Sequence, residues 1–409
     1  MDTKQINKIS GSNYKAFAKL ANSAFEGLNA DQWLQNHIEE TPTEKLYGLF
    51  EQDTLIAGMR TFEFEMNFSS TTVQAGGVGM LAVDMLHKKE KNAYRLLQYF
   101  IQINAESNTN IVMLNPFQVG FYRKMGFGIG TRAHQVYIKP KEFVDFQAKS
   151  HLQELSTEDR IPIMECYNRI YSRTHGMTKR FPHERELNRP FLFGRVIGYV
   201  EAGEVKGYFV YSINEHQLHI HEMFFENPDV MKEFSTFFSN QSDQIKRVVI
   251  HSNLDDIIHF INSPESGLDT MIDLPSSTDH KHIENVGTGV MYRIINVRGF
   301  FEELKEKNHR FNQVTISIKL MIYDDLCSEN DQPFIVKFRD GEIVEITEEG
   351  FSDVELTMFI GEFSSLMMGA DNFYSFVKWG LAKVSDESFV HKVNLLFLTS
   401  NKPVMTKAF

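Results

Sequence analysis

The chain contains almost no cysteine. There are two in 409 residues, Cys166 and Cys327, far apart in sequence. Two isolated thiols cannot form a disulfide framework, and a reducing, cytoplasmic compartment is the expected location. No apolar run reaches about 18 residues, so no membrane span is expected. The N-terminus, Met1-Asp2-Thr3-Lys4-Gln5, is polar and lacks the apolar stretch of a secretion signal. Neither CxxC nor HExxH occurs. Of the 15 histidines, only His219 and His221, two apart on an expected strand, bear comparison with a zinc pair. Surface histidines are the ordinary reading of such a pair, and no metal is expected. Positive charge is also short: 42 Lys and Arg against 54 Asp and Glu leave a formal net charge of −12. Phosphate-backbone binding needs basic surface, so nucleic acid is not an expected partner. A cationic substrate suits the balance better, because an acidic cleft draws amines inward.

What remains has a globular profile, 42% hydrophobic and 23% charged. The length implies roughly two to four domains. Three units follow from the order of elements: residues 1–142, 143–290 and 291–409. In the first, helices and strands alternate. Asn13 opens a helix to Ala24, and Asp31 caps a second stretch containing Trp33, Leu34 and Ile38. Strands are expected at 45–50, 55–66, 72–83 and 111–114, with a closing strand at 134–138. The third of these holds Gly76, Gly77 and Gly79, and glycine inside a strand points to a bulge or to a close neighbour. A helix beginning near Lys89 puts Leu96, Leu97, Phe100 and Ile101 on one face, and a short helix covers 117–125. The second unit repeats the order, with strands at 198–200, 205–213, 218–224 and 248–251 and a helix at 230–238. The third has a strand at 311–323, a hairpin over Arg339-Asp340-Gly341-Glu342, a strand at 354–358 and helices at 360–368 and 372–379. The fold class is therefore α/β (α+β).

The segment Gly76–Gly128 is the most informative. A strand runs into the basic turn His87-Lys88-Lys89-Glu90-Lys91-Asn92-Ala93 and then into a helix. A helix start offers unpaired N–H groups and a positive dipole end, which together hold phosphate, and lysines add charge for the anion. Composition alone favours a solvated, lysine-rich turn.

Here the residues resemble a family. The arrangement is similar to the GNAT acetyltransferases, whose pyrophosphate turn reads Arg or Gln, two residues, Gly, one residue, then Gly or Ala. Lys88 takes the first place, Lys91 departs from the family by standing at the first Gly, and Ala93 takes the last. Phe121-Tyr122-Arg123-Lys124-Met125-Gly126-Phe127-Gly128 resembles the signature that follows the family's fifth strand. The resemblance implies two tandem GNAT-like mixed-sheet units followed by a sterol-carrier-like α+β domain, as in the enhanced intracellular survival branch. Met80-Leu81-Ala82-Val83, Met291–Val297 and Ser364–Gly369 carry that likeness along the chain.

The resemblance implies acetyl-CoA as cofactor, held by Leu81, Ala82, Val83, Lys88, Lys89, Lys91, Asn92, Ala93 and Asn115. It implies Tyr122 as general acid for the leaving thiolate, since a phenol with pKa ~10 keeps its proton at neutral pH. The α-carboxylate of Phe409 is the implied base or orienting group for the amine. The second unit, without basic turn or Phe-Tyr signature, reads as a degenerate copy. The expected activity is direct transfer to a primary amine: a polyamine, an aminoglycoside-like amine or a lysine. A homo-oligomer, trimer or hexamer, is also implied. The rival reading is a catalytically weak CoA- or lipid-binding protein using the carrier-like domain.

Overall fold

The computed structural model describes residues 4–11, 13–31, 43–254, 256–264, 270–272 and 280–406. They form two compact units. One takes the described residues up to Thr131 and from Val290 to Pro403. The other takes Arg132–Gly289 and Val404–Thr406. The helix expected after Asp31, with Trp33, lies outside the described residues.

In chain order the first unit begins with β1 (Lys4–Lys8), α1 (Asn13–Ala24), β2 (Glu44–Glu51), β3 (Thr54–Phe68), β4 (Thr71–Val83), α2 (Asn92–Glu106), β5 (Ile111–Leu114), α3 (Val119–Arg123) and β6 (Gly128–Ile129). The second unit supplies β7 (Arg132–Ile138), β8 (Leu152–Leu155), α4 (Arg160–Tyr171), α5 (Glu184–Phe193), β9 (Arg195–Glu201), β10 (Glu204–Asn214), β11 (Gln217–Phe225), α6 (Pro228–Ser239), β12 (Arg247–Ser252), a ribbon of β13 (Met271–Ile272) and β14 (His280–Lys281), and β15 (Glu284–Thr288). The chain then returns to the first unit with β16 (Met291–Ile294), α7 (Val297–Glu306), β17 (Ile316–Tyr323), β18 (Phe334–Arg339), β19 (Glu342–Thr347), β20 (Val354–Phe359), α8 (Ile360–Met367), α9 (Phe373–Lys378), β21 (Ala382–Val384) and α10 (Val390–Phe397).

The first sheet has the order β1-β2-β3-β4-β5-β16-β6, and the second β8-β9-β10-β11-β12-β7-β15. The strand expected to close the first unit, 134–138, is β7, and it pairs with β12 and β15 in the second sheet. The first sheet is completed by β16, placed by sequence at the entry to the third domain. The reason is burial. β5 is buried at all four residues, so its outer edge needs a partner, and β16, equally buried, fits between β5 and β6.

Helix α2 lays Leu96, Leu97, Phe100 and Ile101 against β3, β4 and β5, on the face its spacing predicted. It comes so close to β4 that a Cβ on Gly76 would lie 2.1 Å from Asn104 Oδ1, so that position of the glycine run serves packing. In the third sheet, β19-β18-β17-β20-β21, β17 pairs parallel with β20. Rings of Phe301, Phe311, Phe334, Phe338 and Phe363 crowd its interior, with centroids of neighbours 5.4–6.4 Å apart. Helix α8 docks on the first sheet: the Ile294 N–H donates to Ser364 Oγ (2.9 Å), and Ser365 Oγ donates to the Ile129 carbonyl (2.8 Å).

Candidate active site

The site begins where β4 and β5 part. Their parallel ladder runs only from Ala75↔Ile111 to Val78↔Leu114. On the other edge, Arg60 faces Gly79 and Gly58 faces Ala82, so β4 carries an extra residue between them. Met80 takes a left-handed backbone, φ +47°, at that bulge. A bulge bends its strand and increases the local twist. Beyond Val78 the β5-facing edge of β4, through Leu81, Ala82 and Val83, has no ladder partner among the described residues. Ala82 is buried; Leu81 and Val83 are half-buried. Asn115 follows β5 and is exposed.

At the far end of β4, Asp84 caps a single 3-10 turn, Met85–His87, by accepting from the Leu86 N–H (2.9 Å). The basic turn follows. Lys89 and Lys91 both take left-handed conformations, φ +65° and +61°. Lys91 is the N-cap of α2 and makes no side-chain cap. The first N–H groups of α2, on Asn92, Ala93 and Tyr94, are therefore left without a capping side chain, while Lys88, Lys89 and Lys91 stand exposed beside them. Asn92 turns its side chain into the protein. It is buried, donates to the His87 carbonyl (2.9 Å) and accepts from Lys4 Nζ (3.2 Å), so it braces the turn and offers only its backbone outward. Glu90, the one acid in the turn, pairs with Lys4 (2.8 Å), and that hydrogen bond, with another from His87, holds its carboxyl below the usual range. The Lys4 contact spans 86 positions and had no signal in the sequence.

Tyr122 lies on α3, 4% exposed, among Phe117, Phe121 and Phe127, with ring centroids 5.7, 5.1 and 6.2 Å away. Its hydroxyl makes no hydrogen bond with a described residue, and burial pushes its pKa well above the ordinary phenol value. A buried phenol of this kind holds its proton at neutral pH and can give it only to a group brought to it. Phe117, 71% exposed beside Tyr122, is an apolar wall that sequence reasoning did not single out. Phe409 lies outside the described residues.

The second unit repeats the scaffold with a different helix start. β11 and β12 run parallel from Gln217↔Arg247 to Ile220↔Ile250, and His221 is then an extra residue opposite β10, the same ladder end and the same bulge. The helix that follows is closed. Asn227 caps α6 by accepting from the N–H groups of Asp229 (3.0 Å) and Val230 (3.2 Å), Pro228 has no N–H to offer, and Asp229 adds negative charge. The segment Val404–Thr406 is fixed in this unit: the Val404 N–H donates to the His175 carbonyl (2.9 Å), the Met405 N–H to Asn253 Oδ1 (2.8 Å), and Arg189 Nη2 donates to the Thr406 carbonyl (3.1 Å). His219 and His221 join His251 in a triangle of near-parallel rings 5.9–6.4 Å apart. No cluster among the described residues is arranged to hold a metal ion.

Comparison with known proteins agrees with this architecture. Models of an acetyltransferase (GNAT) domain match residues 5–130 and 171–294, and a sterol carrier protein domain matches 297–406. The chain is thus a GNAT acetyltransferase of two such domains with a C-terminal sterol carrier domain. The order is that of the Eis type. Eis1 from Mycobacterium abscessus superposes with a TM-score of 0.77 at 14% identity, over 99% of this chain and 100% of that one. A GCN5-related N-acetyltransferase from Anabaena variabilis gives 0.82 at 17% identity, covering 99% and 100%. A conserved protein from Enterococcus faecalis V583 gives 0.81 at 16%, covering 100% of both chains. No curated protein matches it in sequence. No helix among the described residues is long and apolar enough to cross a membrane.

Proposed function

We propose that the protein is an acetyl-CoA-dependent N-acetyltransferase that acts on a primary amine by direct transfer, using the first GNAT unit alone. The observation that carries this is an uncapped, lysine-flanked start of α2 at the end of a bulged strand, in the same unit as a buried tyrosine that holds its proton.

The residues fit the cofactor. The α2 N–H groups with Lys88, Lys89 and Lys91 would hold the pyrophosphate. The free edge of β4 at Leu81, Ala82 and Val83 would pair with the pantetheine amides as an added strand does, and Asn115 would give one polar contact. Bound acetyl-CoA supplies an acyl carbon with a thiolate leaving group. The chain's own part is positioning and proton management. Backbone N–H groups at the β4 bulge would stabilise the negative charge that develops on the acyl oxygen. The Tyr122 hydroxyl holds the proton that the leaving sulfur takes. The Phe409 carboxylate would hold the ammonium group and take the proton the nitrogen loses as it attacks the acyl carbon, or pass it to water, while the leaving sulfur takes its proton from Tyr122. An α-carboxyl of pKa ~3.5 is a weak base, so its main service is to hold the cation. The net charge of −12 favours cationic acceptors: polyamines, aminoglycoside-like amines or lysines.

Phenylalanine rings pack against one another in the interior of the third domain, which gives the lipid-binding alternative no support. The test is calorimetric titration with acetyl-CoA, followed by thiol release against a panel of polyamines, aminoglycosides and lysine peptides. Binding with release for at least one amine is the expected result. Copurified lipid with no release for any amine would overturn it.

A further inference from the structure

The short helix that carries Tyr122 is held from beneath by the third domain. Arg293, on β16, is fully buried, 0% exposed. Its Nη1 donates to the Met125 carbonyl (2.9 Å), and its Nη2 donates to both oxygens of Asp324 (2.6 and 2.8 Å). Asp324 is itself buried. It accepts from Asn330 Nδ2 (2.8 Å) and from the N–H groups of Leu326 (3.0 Å) and Cys327 (3.2 Å). On the exposed side Arg123, the last residue of α3, pairs with Glu362 of α8 (3.0 Å). Asp324 and Glu362 both lie within the sterol carrier domain, residues 297–406.

The clamp meets the tyrosine's own backbone. The N–H groups of Met125 (2.9 Å) and Phe127 (3.1 Å) both donate to the Tyr122 carbonyl, so the guanidinium grips the turn that closes on it. Gly126 lies between them with φ +74°, and a Cβ there would come within 1.6 Å of Arg293 Nη1. The glycine of the Phe-Tyr signature thus makes room for an arginine 167 positions away. A buried ion pair contributes little net stability, because desolvation offsets its attraction, and its better-attested use is to fix one geometry. Here the geometry fixed is that of the Tyr122 segment.

We propose that Arg293 and Asp324 are positioning residues for Tyr122, and that the sterol carrier domain serves the reaction by setting the place of that hydroxyl. The proposal rests on Tyr122 as proton donor. Its test is a double-mutant cycle on the full chain with Asp324→Asn, Arg293→Lys and Tyr122→Phe, reading kcat, KM and acetyl-CoA affinity by calorimetry. Asp324→Asn and Arg293→Lys are each expected to lower kcat about tenfold, since small misplacements of a reacting group are costly, with acetyl-CoA affinity within about twofold of the parent. In the Tyr122→Phe background neither should lower kcat further. If the losses instead multiply, the pair acts on folding or elsewhere, and the proposal falls while Tyr122 stands. Full turnover of Tyr122→Phe would remove the donor and the proposal with it. Should the buried variants not fold, half-buried Glu362→Gln gives the same readout: about a threefold loss of kcat, absent in the Tyr122→Phe background. Losses that multiply there would likewise overturn it.

Discussion

The two GNAT units share strand order, the short parallel ladder and the bulge that follows it, yet differ at the first turn of one helix. In the first unit α2 starts with no cap, at a lysine in a left-handed conformation, with two further lysines beside it. In the second, α6 starts with an asparagine cap, a proline and an aspartate. A strand pair that splays creates a notch in either unit. Under the proposed function, only an uncapped helix start with cations beside it would make that notch a seat for pyrophosphate. Two units with one scaffold thus differ in a handful of residues where the scaffold ends, and there the proposed chemistry is placed.

The comparison can be broken most forcefully at Tyr122. Tyr122→Phe should lower kcat about a hundredfold or more while acetyl-CoA affinity, read by calorimetry, stays within twofold. Unchanged turnover would end the proton-donor role. Next in size is the basic turn. Replacing Lys88, Lys89 and Lys91 with alanine should weaken acetyl-CoA by about ten- to a hundredfold, and raising salt should shrink the difference. The matching change in the second unit, Asn227→Ala, should cost about 1 kcal/mol of stability in a denaturant melt and leave affinity unchanged. A drop in affinity there would mean that both units bind. Smaller still is Lys91→Gly. A lysine held at φ +61° is strained, so glycine should raise stability by about 0.5–1 kcal/mol, while loss of the charge weakens acetyl-CoA a few-fold. A lower melting temperature would contradict the strain.

The smallest effects are in pH. Burial raises the Tyr122 pKa, so kcat should show no basic limb from it up to pH ~10. In the second unit, burial and mutual repulsion lower the pKa of His221 and His251. Both are neutral above pH ~6.5, and the unfolded chain takes up their protons first as pH falls. Stability should therefore decline as pH drops below about 6.5, and less so in His251→Gln. Equal slopes would refute that assignment.

Much of this was legible in the residues. Gly76-Gly77-Gly79 marked an irregular strand, the lysine turn marked the helix start, and Phe121–Gly128 marked the tyrosine. The hairpin across Asp340-Gly341 falls where the turn chemistry put it. What could not be read were the pairings distant in sequence. β7, expected to close the first sheet, joins the second, and β16, read at the entry to the third domain, completes the first; strands of seven and four residues carry no sign of their partners. Asn92 was read as a cofactor contact because it stands in the turn. Its side chain bonds to the His87 carbonyl within the turn and to Lys4 on a strand 88 positions away. The bulge at His221 had no glycine to announce it, so the depth of the likeness between the units emerged only from the strand registers.

The number of acetyl-CoA sites per chain separates one working unit from two. Acetyl-CoA titrated into the full chain should bind once per chain, and the Lys88, Lys89 and Lys91 substitutions should weaken that one event. Two binding events per chain, or one that ignores the three lysines, would contradict it.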